Sequence, residues 1–176
     1  VMGEGYLKNL GFDPEDVRTA KEEAVRVMAR PNLEVGRVIN RYCPGYGEPF
    51  QAEKHIKATG DLSGPGIEIF NELAEKAKAD IELWEVPLNH EAIVEAACEE
   101  YLLPNGTSGT NGAIAIVASE RVVREVEEDL RRLGHDPQVI GRVKGPGGGN
   151  LHVPRETRNF LPFTGLREAG PQIDRR

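Results

Sequence analysis

Apolar residues recur every three or four positions in some segments of this chain and alternate with polar residues in others. The first helical pattern covers residues 13–29, where Asp13 can cap the helix, Pro14 suits its first turn and Pro31 ends it. Its apolar face comprises Val17, Ala20, Ala24, Val27 and Met28. Residues 33–42 alternate weakly and predict a strand, and the glycine- and proline-rich residues 43–53 predict a loop.

From residue 55 the predicted elements follow a regular order. Strands are expected at residues 55–59, 80–86, 113–118 and 138–145, and helices at 67–78, 89–102 and from 120 to Gly134, with Ser119 as the cap of the last one. This order indicates an α/β (α+β) fold of layered sheet and helices. It is similar to a ferredoxin-like split βαβ core with an extra helix.

Three regions follow from this pattern. Residues 1–54 lead into the domain through a helix, a strand and a loop, and residues 55–145 form its core. Residues 146–176 are so rich in Gly, Pro and Arg that we expect them to be extended over the surface or partly disordered rather than part of the core.

Composition narrows the class of protein. The 176 residues suit one domain, and a net charge of −7 disfavours a nucleic-acid or anionic-membrane surface. No apolar run approaches the roughly 20 residues that span a bilayer. Cys43 and Cys98 stand far apart and the four histidines are dispersed, so we expect reduced thiols, a cytoplasmic protein and no metal site.

The stretch GDLSGPG, residues 60–66, is the first candidate for chemistry, because it joins a strand to a helix. Free backbone N–H groups and a partial positive charge at a helix start attract anions. Ser63 adds a hydroxyl and Gly64 and Gly66 allow close approach, while Asp61 could cap the helix, accept a ligand hydroxyl or help to hold magnesium. The alternative is a tight connection without a ligand. Neither a Walker loop nor GxGxxG is present.

A second polar loop, NGTSGTNG at residues 105–112, precedes the apolar strand AIAIVA. In a split unit it can lie near the first loop, and together the two would form a phosphate or ribose pocket; a solvent-exposed loop is the alternative. The residues expected to bind phosphate or substrate are Thr59, Asp61, Ser63, Gly64, Gly66, Asn105, Gly106, Thr107 and Asn111. Lys54, His55 and Lys57 could add positive charge near an anion or lie on an exposed strand face.

IKATGDLSGPGIEIFNELAEKA, DIELWEVPLNHEAIVEA and NGAIAIVASERVVREVEEDLRRLGHDPQVIGRVKG carry a family resemblance over roughly residues 56–145. They resemble the C-terminal domain of the aminoimidazole ribonucleotide (AIR) synthetase superfamily, which includes selenophosphate synthetase, thiamine monophosphate kinase and a hydrogenase-maturation dehydratase. The family's glycine loop maps onto residues 61–66, with Pro65 in place of the usual middle glycine. The resemblance gives no catalytic residue here.

The resemblance implies the substrate- or phosphate-binding half of an ATP-dependent ligase- or kinase-like enzyme. In this family a separate N-terminal domain dimerises and holds ATP and Mg²⁺, so such a partner and a homodimer are expected, with a phosphorylated small molecule as ligand. No acidic, magnesium-binding run ahead of a long helix is found in this sequence. The alternative is a non-catalytic module that binds a phosphorylated ligand or another protein.

Overall fold

The structure is a computed structural model that describes residues 8–63, 66, 68–84, 92–93 and 112–153. Its helices and strands, in chain order, are α1 (Pro14–Ala29), α2 (Leu33–Arg41), β1 (Ala58–Asp61), α3 (Glu68–Ala77), β2 (Ala79–Leu83), β3 (Ile114–Val117), α4 (Glu120–Arg132), β4 (Gly141–Pro146) and β5 (Leu151–His152). The mixed α/β class is therefore confirmed. The helix predicted at residues 89–102, apart from residues 92–93, and the predictions for residues 85–88, 103–111 and 154–176 lie outside the described residues.

Helix α1 begins as the sequence predicts. The carboxylate of Asp13 accepts a hydrogen bond from the Glu15 N–H at 2.7 Å, which satisfies one of the free donors at the helix start. The predicted apolar face is only partly correct, since Val17 is buried whereas Val27 and Met28 are about half exposed, at 46% and 51%. Helix α1 thus packs through its first turns.

The predicted strand at residues 33–42 is wrong, because this segment forms helix α2. Its apolar residues Val35, Val38 and Ile39 follow helical spacing and pack against α4, and Val38 is fully buried. The Tyr42 hydroxyl donates to Asp129 of α4 at 2.9 Å. Burial against Asp129 raises the pKa of Tyr42 to about 12. Packing against a distant helix, rather than local alternation, decides the conformation here.

The described strands lie in two sheets, whereas a ferredoxin-like unit has one continuous sheet. In the first sheet β1 pairs antiparallel with β3, and Gly60 stands opposite Ala115. In the second, β2 lies between β4, which is antiparallel to it, and β5, which is parallel to it. Strands β2, β3 and β4 overlap the predicted ranges 80–86, 113–118 and 138–145, which confirms a strand in each. The strand predicted at 55–59 instead begins at Ala58, because the N–H groups of His55 and Ile56 donate to the Gln51 and Tyr42 carbonyls rather than to a neighbouring strand.

Two apolar clusters hold these elements together, and β3 contributes to both. Ala115 joins a cluster between α3 and the sheets, whose other buried members are Phe70, Ala74, Ile81, Leu83 and Leu151. Ile116 packs on the second cluster, formed by Val38 and Ile56 with the α4 residues Val122, Val126 and Leu130. Successive side chains of a strand point to opposite faces, so the apolar run of β3 is covered on both sides as predicted.

The ends of α4 agree with the sequence in part. Gly134 has a φ of 75°, and the N–H groups of Gly134 and His135 donate to the carbonyls of Arg131 and Leu130, which is the hydrogen-bond pattern of a glycine-terminated helix. Ser119 occupies the cap position, but its side chain makes no cap hydrogen bond and its buried Oγ lacks a partner. The capping role predicted for this hydroxyl is therefore wrong.

Part of the tail expected to lie outside the core forms strand β5 and reaches the core at Leu151, so the expectation is wrong at this residue. Leu151 is completely buried and pairs with Ile81 of β2. Asp80 fixes the approach to this strand, since its Oδ1 accepts from both the backbone N–H and the side-chain amide of Asn150, at 2.9 and 3.0 Å. A glycine-rich composition thus conceals one fully buried residue held by a distant carboxylate.

No helix within the described ranges is long and apolar enough to cross a membrane.

Candidate phosphate-binding turn

Residues 61–66, called the Asp61 turn below, connect β1 to α3. Oδ1 of Asp61 accepts the Ser63 N–H at 2.9 Å, and the Gly66 N–H donates to the Leu62 carbonyl at 2.8 Å. Gly66 has a φ of 58°, which lies in the left-handed region that favours glycine. The hydrogen bond to Asp61 thus closes the turn itself, and α3 begins later, at Glu68. Short-range hydrogen bonds therefore define the shape of the turn.

Ser63 joins the Asp61 turn to the end of the second polar loop. Its Oγ accepts the N–H of Gly112 at 3.0 Å, and the Leu62 N–H donates to the Ala113 carbonyl at 3.0 Å. The predicted proximity of the two loops is confirmed at this point. Residues 49 positions apart in sequence thus meet where β1 ends and β3 begins.

Asn32 also contacts this junction, which the sequence did not reveal. It is the residue before α2, and its side-chain amide donates to the Gly112 carbonyl at 3.1 Å. A contact across 80 positions leaves no local signal. The start of α2 could have drawn attention to Asn32, but the segment after it reads as a strand.

Gly60 brings α3 close to β1 just before the turn. A Cβ at this position would lie 2.4 Å from Cγ1 of Ile69, so a larger residue would push the helix away from the strand. An approach this close leaves little room for an added methyl group. This glycine therefore has a packing role.

The electrostatics of the Asp61 turn are those of an exposed, ionised carboxylate. Hydrogen bonds from the Ser63 N–H and hydroxyl hold the pKa of Asp61 below its ordinary value. Thr59 is also exposed and, two residues earlier on β1, lies on the same face as Asp61. A carboxylate and a hydroxyl can accept hydrogen bonds from a ligand hydroxyl or coordinate a hard divalent cation. A phosphate would need a cation to offset the charge of Asp61.

Other residues considered from sequence lie elsewhere or are not described. Gly64, Asn105, Gly106, Thr107 and Asn111 lie outside the described residues. Lys54 is 2.6 Å from Glu48, and His55 is 1% exposed, so both belong to the loop before β1 rather than to an open strand face. Cys43 is an exposed free thiol. Across the described ranges, no three His, Cys, Asp or Glu residues are grouped so that they could hold a metal ion.

A shallow groove of about 490 Å³ lies between α2 and the end of α4. Its lining residues are Glu34, Arg37, Val38, Asn40, Arg41 and Leu133. None of them belongs to the Asp61 turn. The groove follows from the packing of two helices and adds no group to the candidate site.

Comparison of this chain with models of known protein families and with curated proteins gives no match.

Proposed function

We propose that this chain is an AIR-synthetase-like C-terminal domain whose Asp61 turn binds the phosphate of a substrate or nucleotide. The observation that carries the proposal is the hydrogen bond from Gly112 to Ser63, because it brings the ends of two small, polar loops together beside a helix start. The confirmed strand–turn–helix–strand order from β1 to β2 supports the architecture, while the division of the described strands into two sheets departs from it.

In this proposal the chain supplies the phosphate side of an ATP-dependent, ligase- or kinase-like enzyme in the cytoplasm. A separate domain provides ATP and Mg²⁺, and the active enzyme is a homodimer. Thr59, Asp61, Ser63, Gly64 and Gly66 contact the ligand from the first loop, and Asn105, Gly106, Thr107 and Asn111 from the second. The ionised Asp61 favours a ligand whose phosphate arrives with a divalent cation.

The test compares Ser63→Ala with the wild type by thermal unfolding in increasing phosphate, with and without Mg²⁺. A ligand that binds only the native state stabilises it by mass action, so we expect wild-type melting to rise with phosphate and the variant to lose at least about half of that rise. Ser119→Ala is the matched control. It removes a hydroxyl that precedes another helix, and this hydroxyl makes no hydrogen bond. Equal phosphate dependence in all three proteins would refute the proposed site.

A non-catalytic module is the second candidate, and the internal hydrogen bonds of the turn favour it. Ser63 and Gly66 each donate their N–H groups within the turn, which leaves fewer donors for a phosphate. Purification from source cells distinguishes the two. The enzyme requires that an ATP-binding protein co-purifies and that the mixture consumes ATP, whereas the module requires binding without turnover.

A further inference from the structure

The loop that joins α2 to β1 is closed around a buried histidine. His55 is 1% exposed, although the segment from residue 43 to 57 contains neither helix nor strand. The Gln51 N–H donates to Nδ1 of His55 at 3.0 Å, and the His55 N–H donates to the Gln51 carbonyl at 2.9 Å. The first of these bonds holds the ring against the backbone, and the second closes the turn between Gln51 and His55.

The hydrogen bond to Nδ1 determines where the imidazole carries its proton. A nitrogen that accepts a hydrogen bond has no proton, so the neutral ring is protonated at Nε2. Nε2 lies 3.5 Å from Oε1 of Glu48, which also accepts from Lys54 at 2.6 Å. Phe50 packs its ring 5.8 Å from the imidazole. In the neutral Nε2–H form, the ring therefore accepts from Gln51 at Nδ1 and directs its proton toward Glu48 at Nε2.

Glu48 stays ionised throughout the pH range in which histidine titrates. Hydrogen bonds from Lys54 and from the Gly45 N–H lower the pKa of Glu48 to about 2. Glu48 faces the ring, and Lys54 lies beyond it on the other side of the carboxylate. Glu48 therefore carries the same charge whether the imidazole of His55 is neutral or protonated.

We propose that His55 is an acid-sensitive latch, which opens the loop between residues 45 and 55 when Nδ1 becomes protonated. A proton on Nδ1 would point at the Gln51 N–H, so two donors would face each other and the hydrogen bond would be lost. Glu48 lies on the Nε2 side of the ring, so it cannot provide the acceptor that the Gln51 N–H has lost. The ring must then turn away from Gln51, which frees the Gln51 N–H and loosens the loop around it.

The opening is local, because separate contacts hold the elements on either side. The Ile56 N–H donates to the Tyr42 carbonyl at 2.8 Å, and Tyr42 is bonded to Asp129 of α4. The Lys57 N–H donates to the Val117 carbonyl and extends the ladder between β1 and β3. These bonds do not involve His55. The latch therefore changes the loop before β1 and leaves the Asp61 turn in place.

Amide hydrogen exchange of the ¹⁵N-labelled protein tests the latch. Between about pH 8 and about pH 5, we expect the protection factor of Gln51, corrected for intrinsic exchange, to fall at least about tenfold, while those of Ser63 and Gly112 stay constant. His55→Asn places an amide oxygen where Nδ1 stands and does not titrate, so its Gln51 amide should stay protected at both pH values. A long-range ¹H–¹⁵N spectrum of the wild type should show the Nε2–H form at the higher pH.

Three results would overturn the latch. One is a constant Gln51 protection factor in the wild type across this range. Another is a wild-type spectrum that shows the Nδ1–H form of the ring at the higher pH. This measurement does not depend on whether a variant folds. The third is a parallel loss of protection at Gln51, Ser63 and Gly112, which would mean global unfolding. None of these results depends on phosphate binding at the Asp61 turn.

Discussion

Two aspartates in this protein each hold a glycine-rich turn, and they do so over very different distances along the chain. Asp61 accepts the N–H of a residue two positions later, whereas Asp80 accepts from Asn150, 70 positions away. The second arrangement, Asp80 with residues 147–150, is called the Asp80 clamp below. Backbone N–H donors lower the pKa of both carboxyl groups.

The two arrangements differ in where they lie: the Asp61 turn is at the surface, whereas the Asp80 clamp completes the core. The Asp61 turn leaves its carboxylate and Thr59 exposed, so it is open to a ligand. The Asp80 clamp surrounds its carboxylate with backbone, and a Cβ on Gly147 would lie 2.4 Å from that group. It fixes β5 and its buried Leu151 beside β2. Similar chemistry thus serves a candidate site in one region and stability in the other.

The largest effect should come from Leu151, which the clamp brings into the core. Leu151→Ala removes a fully buried side chain, and we expect it to lower the free energy of unfolding by about 2–5 kcal/mol. Leu133→Ala is the control, since Leu133 is 39% exposed, and it should cost less than about 1 kcal/mol. Urea unfolding followed by circular dichroism measures both. Equal losses would contradict the role given to β5.

The sequence predicts elements whose pattern is local and misses those fixed by distant contacts. Helices α1, α3 and α4 follow from caps, glycines and apolar spacing, and the junction of the two polar loops was expected. Residues 33–42 read as a strand because valines favour strands, yet their spacing lets Val38 pack against α4. Leu151 and Val153 follow a run of glycines, and two alternating apolar positions are too few to predict a strand. Asn32 joins the candidate site only through the tertiary fold.

The next effect compares two glycines. Gly60→Ala places a methyl group against Ile69, and we expect a loss of about 1–3 kcal/mol of unfolding free energy from overpacking. Gly36→Ala is the matched control, because a Cβ there meets nothing within 4 Å and alanine favours the helix interior. That variant should gain up to about 1 kcal/mol. If Gly60→Ala unfolded with the same free energy as the wild type, α3 would not need to approach β1 so closely.

A smaller effect should appear in acid and differ between the two aspartates. A carboxyl group whose pKa is lowered in the folded state stabilises the fold above its ordinary value of 3.8, and this contribution disappears as pH falls through the lowered value. Asp80→Asn should therefore lose less of its own stability on acidification than the wild type does. Asp61→Asn should show the same change to a smaller extent, because it affects only a local turn.

Urea unfolding between about pH 6 and about pH 2 measures these differences. The three proteins should converge at the acid end, where the wild-type carboxyl groups are protonated. Parallel curves for the wild type and Asp80→Asn would mean that the clamp does not depend on the charge of Asp80.

The most direct test of the proposed function is a phosphate titration of the ¹⁵N-labelled protein, observed through backbone amide chemical shifts. The proposal predicts saturable shifts of the Ser63, Gly66 and Gly112 amides, strengthened by Mg²⁺, while the Gly148 and Asn150 amides of the Asp80 clamp remain in place. Unmoved amides at the Asp61 turn, or equal movement at both turns, would contradict phosphate binding at this site.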